Sequence, residues 1–271
     1  MTKLHPLAAD MATTYQNLAD REAPGLVQGL YLTGSVALND FRPRTSDVDF
    51  VAVTAAKPGT SEMEALERAH TRLRALRRRP FFDGFYLTWD DLRRGPEGAA
   101  PGLFAHERRL QVCSRLSPVT WFELAGHGVT LRGPEPADLA IWADKQVLSD
   151  WTRGNLDGYW RRWHSQSSQL GSVPGVISLG AWATMWGVLG VSRLHFTLAT
   201  GQVTAKEGAG LYALEAFPAR WHRVINEALR IRRGDAKRSL YRNPLRRRCD
   251  ALDFVSVAIE DAKALHRAAS A

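Results

Sequence analysis

The first half of the chain alternates between helical and strand-like hydrophobic patterns. Apolar residues recur at helical spacing over residues 5–22, and residues 61–79 repeat apolar side chains on one helix face before Pro80, which is expected to end that helix. Between and after these helices come short apolar runs bounded by turn residues, which are typical of buried strands. The predicted strands cover residues 30–32, 47–53, 85–89 and 129–131.

The second half of the chain has a different pattern, in which helical spacing dominates and strand signals are nearly absent. The predicted helices cover residues 136–150, 152–165, 178–200, 206–216, 218–233 and 246–268. Residues 93–102, rich in glycine and proline, are predicted to form a mobile surface loop. We therefore predict an α+β or α/β protein, with a mixed-sheet domain over residues 1–148 and an all-α helical domain over residues 149–271.

Composition narrows the classes of function. The chain has 271 residues, of which 45% are hydrophobic, enough for a sizeable core. We find no apolar run long enough to span a membrane and no apolar signal segment near the N-terminus, so we expect a cytoplasmic protein without a membrane partner. Cys113 and Cys249 are far apart in sequence, which gives neither a disulfide framework nor zinc-type spacing.

The net charge of +8 and the pI of about 9.9 favour phosphate-bearing ligands, although a generic basic surface gives the same values. Residues 220–248 are rich in arginine and lysine, and in charge alone they resemble a surface that binds nucleic acid. No aromatic platform or known nucleic-acid module accompanies this charge. We therefore interpret the stretch as a solvated surface and do not expect nucleic acid as a partner.

The stretch with the most chemical information is Leu32–Ser35, followed after eleven residues by Asp47 and Asp49. The two aspartates project from one face of a strand, because strand side chains alternate. Two carboxylates beside an apolar core are costly unless a cation neutralises them, and Mg²⁺ commonly takes one or two carboxylates plus substrate phosphates. Gly34 lets the backbone approach a phosphate, and Ser35 can donate to it. The pattern predicts a magnesium and phosphate site.

Asp83 is the candidate for a third carboxylate. It lies just before the third predicted strand, with Phe85 and Leu87 on its own face. If that strand neighbours the strand of Asp47 and Asp49, Asp83 reaches the same site, either as a metal ligand or as the general base. An aspartate before a glycine also often only makes a turn, and this alternative stays open.

The segment LTGSVALNDFRPRTSDVDFVAV resembles the Gly-Ser…Asp-x-Asp signature of the nucleotidyltransferase superfamily, which includes DNA polymerase beta. The nearer resemblance is to the bacterial aminoglycoside adenylyltransferases that modify streptomycin and spectinomycin. Three segments of the second half are similar to the helical domain of that family: Val191–Leu194, Ala199–Lys206 and the stretch from Phe217 to Ala228. The resemblance implies a polymerase-beta-like nucleotidyltransferase domain, a helical C-terminal domain, and an active site in the cleft between them.

The resemblance also implies ATP as the co-substrate and two Mg²⁺ ions. Asp47 and Asp49 match the metal ligands of the family, and Ser35, next to Gly34, matches its triphosphate-binding serine. The positions that approach the ATP phosphates from the helical domain are matched by Arg193 and Lys206.

Two positions depart from the family pattern. Asp83 stands where the family has its catalytic glutamate and is one methylene shorter. The family has its streptomycin-binding acidic residue shortly before a Ser-Arg pair, which is Ser192-Arg193 here. Residues 181–186 of this chain contain no acid at that place, which argues against streptomycin as the acceptor. Trp182 and Trp186, four apart on one helix face, are candidates for acceptor contact or for core packing. His106 and Glu107 are candidates for lining the acceptor site or for a partly exposed helical surface.

The sequence therefore predicts an enzyme that transfers an adenylyl group from ATP to a hydroxyl of a small aminocyclitol or aminoglycoside-like acceptor. It would release pyrophosphate, and antibiotic resistance is the role that the family resemblance implies. The sequence favours a monomer but does not fix the oligomeric state. Two alternatives stay open. One is a nucleotidyltransferase with a protein or tRNA acceptor, and the other is a degenerate protein that binds a nucleotide without transferring it.

Overall fold

The computed structural model describes residues 4–106, 109–114, 116–235 and 238–269. The chain divides into two compact units, Met1–Asp144 and Lys145–Ala271, so the helical unit begins slightly before the boundary expected from the sequence. The predicted fold class is confirmed, with a mixed sheet in the first unit and helices in the second. None of the helices in the described ranges is long and apolar enough to cross a membrane.

The first unit is built on a six-stranded sheet with the order β5-β4-β3-β2-β1-β6. Its strands are β1 (Gly29–Leu32), β2 (Val48–Thr54), β3 (Phe82–Thr88), β4 (Gly102–His106), β5 (Arg109–Cys113) and β6 (Val129–Arg132). Strands β2 and β3 are parallel, and the other neighbouring strands are antiparallel. A parallel pair needs a crossover connection, which a helix between β2 and β3 supplies.

Helices cover both faces of this sheet. They are α1 (Pro6–Glu22), α2 (Gly34–Ala37), α3 (Thr60–Leu76), α4 (Trp89–Ala99) and α5 (Pro118–His127). On one face, Phe50 of β2 packs with apolar residues of α1 and α3. On the other face, Val51 and Val53 of β2 pack with Leu92 of α4 and Trp121 of α5. The alternation of β2 therefore sends Asp49 to the face that α4 and α5 cover.

The predicted loop over residues 93–102 is wrong. Most of these residues belong to α4, and the last one begins β4. Gly95, with a φ of 77°, is followed by Pro96, which kinks the helix and gives its sequence the composition of a loop. Thr88 and Asp91 start α4 with reciprocal hydrogen bonds between side chain and backbone, at 2.8 and 3.0 Å.

One further local prediction is wrong, and three elements were not predicted. The helix predicted over residues 136–150 begins only at Lys145, since Pro136–Asp138 forms a separate short 3-10 turn. The hairpin of β4 and β5 and the helix α5 carry no strong periodic signal, and the sequence did not predict them. These are the elements that bring His106 and Glu123 to the site described below.

The second unit is helical throughout its described residues, apart from connecting turns. It contains α6 (Lys145–Asn155), α7 (Arg161–Ser168), α8 (Val173–Ile177), α9 (Ala181–Thr200), α10 (Lys206–Ala216), α11 (His222–Arg233) and α12 (Pro244–Ala269). A π-helical turn, Leu156–Trp160, joins α6 to α7. Helix α9 packs against α10, α11 and α12. A Cβ at Gly190 would lie 2.2 Å from the Trp160 ring, so this glycine lets the indole pack directly on α9.

A buried polar network lies under β3. The hydroxyl of Tyr86 is hydrogen-bonded to the hydroxyl of Tyr15 and to Nε2 of His70, the latter at 2.8 Å. All three side chains are buried. Burial lowers the pKa of His70 to about 3, so the ring is neutral at pH 7 and needs no counter-ion.

Replacing Tyr86 with phenylalanine tests how much this network contributes to the free energy of unfolding. The change leaves Tyr15 and His70 without this hydroxyl, so we expect the free energy of unfolding to fall by about 1–3 kcal/mol. Urea denaturation measures the loss. Tyr159→Phe is the matched control, because it removes a more exposed hydroxyl that accepts a hydrogen bond from Trp186, and it should cost less than Tyr86→Phe. Equal losses in the two variants would contradict this account.

A second prediction concerns Glu227 of α11, a fully buried carboxylate. Burial alone would raise its pKa, but hydrogen bonds from Arg230, Ser239 and the Leu240 amide lower the pKa to about 2. A lowered pKa stabilises the fold above the ordinary value near 4.5, and this contribution disappears as the pH falls towards 2. The stability advantage over Glu227→Gln should therefore shrink from pH 5 to pH 2.

Urea denaturation across this pH range measures that advantage. Glu215→Gln, at an exposed position of α10, is the control and should give a difference that stays near zero. A difference in the free energy of unfolding between the unchanged protein and Glu227→Gln that stays constant with pH would contradict the lowered pKa of Glu227.

Candidate active site

Asp49 and Asp83 are neighbours on the central parallel pair of strands. They are register partners between β2 and β3, so both side chains leave the sheet on the same face. Asp83 is buried, with 9% of its side chain exposed, and Asp49 is half-buried. The strand adjacency on which the interpretation of Asp83 depends is therefore present.

Asp47 occupies a different position from these two residues. It precedes β2, its side chain is 43% exposed, and its Oδ1 lies 3.9 Å from the guanidinium of Arg79. Over the described ranges, no three His, Cys, Asp or Glu side chains are grouped closely enough to hold a metal ion. The pair of Asp49 and Asp83 fits the way Mg²⁺ is usually held, by one or two carboxylates together with substrate phosphates.

The turn at Gly34 lies against the carboxylate of Asp49. A Cβ at Gly34 would lie 2.0 Å from Oδ2 of Asp49, and the glycine has a φ of 57°, which other residues rarely adopt. The amide of Thr33 donates to the carbonyl of Asp49 at 2.9 Å, which extends the pairing of β1 and β2 into the turn. The glycine of the Gly-Ser motif is therefore required by its contact with the acidic strand.

Ser35 follows within the single turn of α2. Its Oγ is buried, and none of the described residues offers it a hydrogen-bond partner. Buried hydroxyl groups almost always have a partner, because an unpaired one costs free energy. A ligand oxygen, such as that of a phosphate, would satisfy the hydroxyl, which is the role predicted for Ser35 from the sequence.

Glu123 of α5 is a site residue that the sequence reasoning missed. Its side chain is buried, and its Oε2 accepts a hydrogen bond from the amide of Gly34 at 3.2 Å. This bond anchors the Gly34–Ser35 turn from the side of α5. The available signal was an acid inside a largely apolar helix, since buried carboxylates are uncommon unless they are paired.

His106, predicted as an acceptor contact, lies beside Asp83. Its Nδ1 is 3.0 Å from Oδ2 of Asp83, and its side chain is 49% exposed. The imidazole stacks on Phe104, with ring centroids 5.3 Å apart and an interplanar angle of 14°. Glu107, considered together with His106, lies outside the described residues.

In the helical unit, two predicted phosphate contacts lie at the corner between α9 and α10. Nε of Arg193 donates to the carbonyl of Thr204 at 3.1 Å, just before α10 begins. Nζ of Lys206, the first residue of α10, lies 5.0 Å from the centre of the Trp186 ring, within the range of a cation–π interaction.

The predicted tryptophan pair has one packing member and one exposed member. Trp182 and Trp186 stack with centroids 5.3 Å apart and an interplanar angle of 13°. Trp186 packs against the helical core, and its Nε1 donates to the hydroxyl of Tyr159 at 3.2 Å. Trp182 is 55% exposed. Core packing therefore accounts for Trp186 and not for Trp182.

Gly34→Ala tests the contact between the turn and Asp49. The new Cβ meets the carboxylate and takes a disfavoured φ, so we expect a loss of about 1–3 kcal/mol in the free energy of unfolding. Gly126→Ala is the matched control, because a Cβ there meets nothing within 4 Å and α5 should gain up to about 1 kcal/mol. Thermal denaturation compares the two, and a neutral Gly34→Ala would rule out the close contact.

Comparison with known proteins gives a family match in the helical unit and a similar fold. Residues 164–249 match the family model described as "Aminoglycoside adenylyltransferase, C-terminal domain". The fold resembles the crystal structure of spectinomycin adenyltransferase AAD(9) from Enterococcus faecialis with ATP and spectinomycin, with a TM-score of 0.65 and 11% sequence identity. The match covers 92% of this chain and 99% of that one. No curated protein matches the sequence significantly. The resemblance inferred from the motifs is confirmed to this extent: residues 164–249 are similar to the C-terminal domain of aminoglycoside adenylyltransferases, and the fold is similar to that of a spectinomycin adenyltransferase.

Proposed function

We propose that this protein transfers an adenylyl group from ATP to a hydroxyl of a small aminocyclitol or aminoglycoside-like acceptor and releases pyrophosphate. The observation that carries the proposal is the pair of Asp49 and Asp83 on adjacent strands, with the Gly34 turn against Asp49. The family of the helical unit supports adenylyl transfer as the reaction. The related fold of AAD(9) was solved with ATP and spectinomycin, which supports these two kinds of ligand.

The residues of the first unit divide between two tasks in this proposal. Gly34 and Ser35 would receive the triphosphate, with the unpaired Ser35 hydroxyl donating to a phosphate oxygen. Asp49 and Asp83 would hold Mg²⁺, whereas Asp47, also predicted as a ligand from the sequence, lies outside this pair. When bound there, Mg²⁺ would offset the negative charge of the phosphates.

Asp83 would act as the general base. Its carboxylate would take the proton of the acceptor hydroxyl as the hydroxyl oxygen forms a bond to the α-phosphorus. The bond between the α-phosphorus and the oxygen that bridges to the β-phosphorus would break, and pyrophosphate would leave with that electron pair. Arg193 and Lys206 of the helical unit would offset the charge that develops on the pyrophosphate. Most of the rate enhancement would come from positioning and charge stabilisation.

The helical unit favours an acceptor other than streptomycin. The segment 181–186 contains two tryptophans and no acid, and Lys206 lies over the Trp186 ring. A pocket for the strongly basic guanidinium groups of streptomycin needs carboxylates. The exposed face of Trp182 suits stacking against a ring of the acceptor instead. Spectinomycin or another hydroxylated amine is therefore the acceptor class that we propose.

An acceptor panel tests the proposal. The purified protein is incubated with Mg²⁺ and ATP and with spectinomycin, streptomycin and related aminocyclitols, and pyrophosphate release is measured. We expect release with spectinomycin or a related aminocyclitol, little with streptomycin, and a product that mass spectrometry identifies as adenylylated. Release with no member of the panel would overturn the proposed acceptor class. Label transfer from ATP to protein or tRNA in a lysate would then identify a macromolecular acceptor.

Asp49→Asn gives a prediction for the mechanism. The amide nearly keeps the shape of the side chain but removes the negative charge next to Asp83, so we expect kcat/KM to fall by at least about 100-fold. Asp138→Asn, at an exposed position in the first unit, should keep the full rate and serves as the control. Circular dichroism shows whether both variants fold. A folded Asp49→Asn protein with unchanged turnover would be incompatible with this mechanism.

A further inference from the structure

His106 is held opposite Asp83 by the register of β3 and β4. These antiparallel strands pair Phe85 with Phe104 and Gly84 with Ala105. The next step of the same register brings His106 alongside Asp83, where the 3.0 Å contact between Nδ1 and Oδ2 forms. The contact is therefore a consequence of strand pairing.

The chemistry of the two groups sets the direction of this hydrogen bond. An ionised carboxylate only accepts hydrogen bonds, so the Nδ1 of His106 is the donor. A donor fixed on one oxygen restricts the rotation of the Asp83 side chain. It also offsets part of the repulsion from Asp49, the register partner of Asp83 on the other side.

The imidazole is itself held in place. It stacks on Phe104, and Phe104 stacks on Phe85 of β3, with centroids 4.5 Å apart and an interplanar angle of 21°. The three rings form a ladder across β3 and β4 on the face that carries Asp83. A ring fixed by stacking is a suitable anchor, because it loses little further freedom on forming the hydrogen bond.

We propose that His106 is a positioning residue for the general base. By donating from Nδ1 to Oδ2, it holds the short carboxylate of Asp83 in the orientation that accepts the proton of the acceptor hydroxyl. The inference rests on the proposed function, since it assigns to Asp83 the role given above. It explains how an aspartate serves where the resembling family has a longer glutamate: the hydrogen bond from β4 fixes the orientation of the shorter side chain.

Two variants of His106 test this role by kinetics. His106→Ala removes the donor, and we expect kcat to fall roughly 10- to 100-fold while KM for ATP changes less than about 3-fold. His106→Asn places an amide N–H near the position of Nδ1 and should recover most of the lost kcat. Val112→Ala is the control, because Val112 lies on the same hairpin, is 66% exposed and faces the opposite side of the sheet. It should keep the full rate.

The asparagine variant separates positioning from a purely structural role. If His106 only stabilises the hairpin, both His106 variants lower the melting temperature, and kcat per folded molecule stays unchanged. That result would overturn the proposal, and so would an asparagine variant as slow as the alanine variant.

A second readout does not depend on turnover. In protein with ¹⁵N-labelled histidine, the Nδ1–H of His106 should give a protected NMR signal, assigned by its loss in His106→Ala. The signal should shift or disappear in Asp83→Ala and persist in Asp90→Ala, a change at a partly exposed position of α4. An unchanged signal in Asp83→Ala would overturn the inference. If the protein transfers no nucleotide to any acceptor, the proposed function fails, and this experiment alone decides whether His106 holds Asp83.

Discussion

The repulsion between two adjacent carboxylates is the constraint on which the candidate site depends. Asp49 and Asp83 lie side by side because β2 and β3 are parallel and in register. Parallel pairing requires the crossover that α3 provides, and α3 also helps to cover the opposite face of the sheet. The fold therefore brings together two acids that are far apart in sequence, at an electrostatic cost that has to be offset locally.

Three residues around the pair fix its surroundings. Gly34 packs directly on Asp49, and Glu123 anchors the same turn through the Gly34 amide. His106 contacts Asp83 from the other side. A divalent cation and the phosphates of a nucleotide would complete this arrangement, and the buried Ser35 hydroxyl fits the phosphate part of it.

Much of this site could be predicted from the sequence, for a physical reason. The apolar run after Asp49 has the β-branched and alternating character of a strand, so the face of Asp49 follows from local pattern alone. The contacts of His106 and Glu123 could not be predicted in this way. They depend on β4 and α5, elements without strong periodicity, and on a strand register that no local pattern specifies. The first part of the predicted loop over residues 93–102 belongs to a helix kinked at Gly95-Pro96, and a kinked helix has the composition of a loop.

In the proposed mechanism, Asp49 and its neighbours bind a nucleotide through a divalent cation. Isothermal titration with a non-hydrolysable ATP analogue, in Mg²⁺ and in EDTA, tests this claim most directly. We expect saturable binding in Mg²⁺ that weakens at least about 10-fold in EDTA, and a comparable weakening in Asp49→Asn. Equal affinity under all three conditions would contradict it.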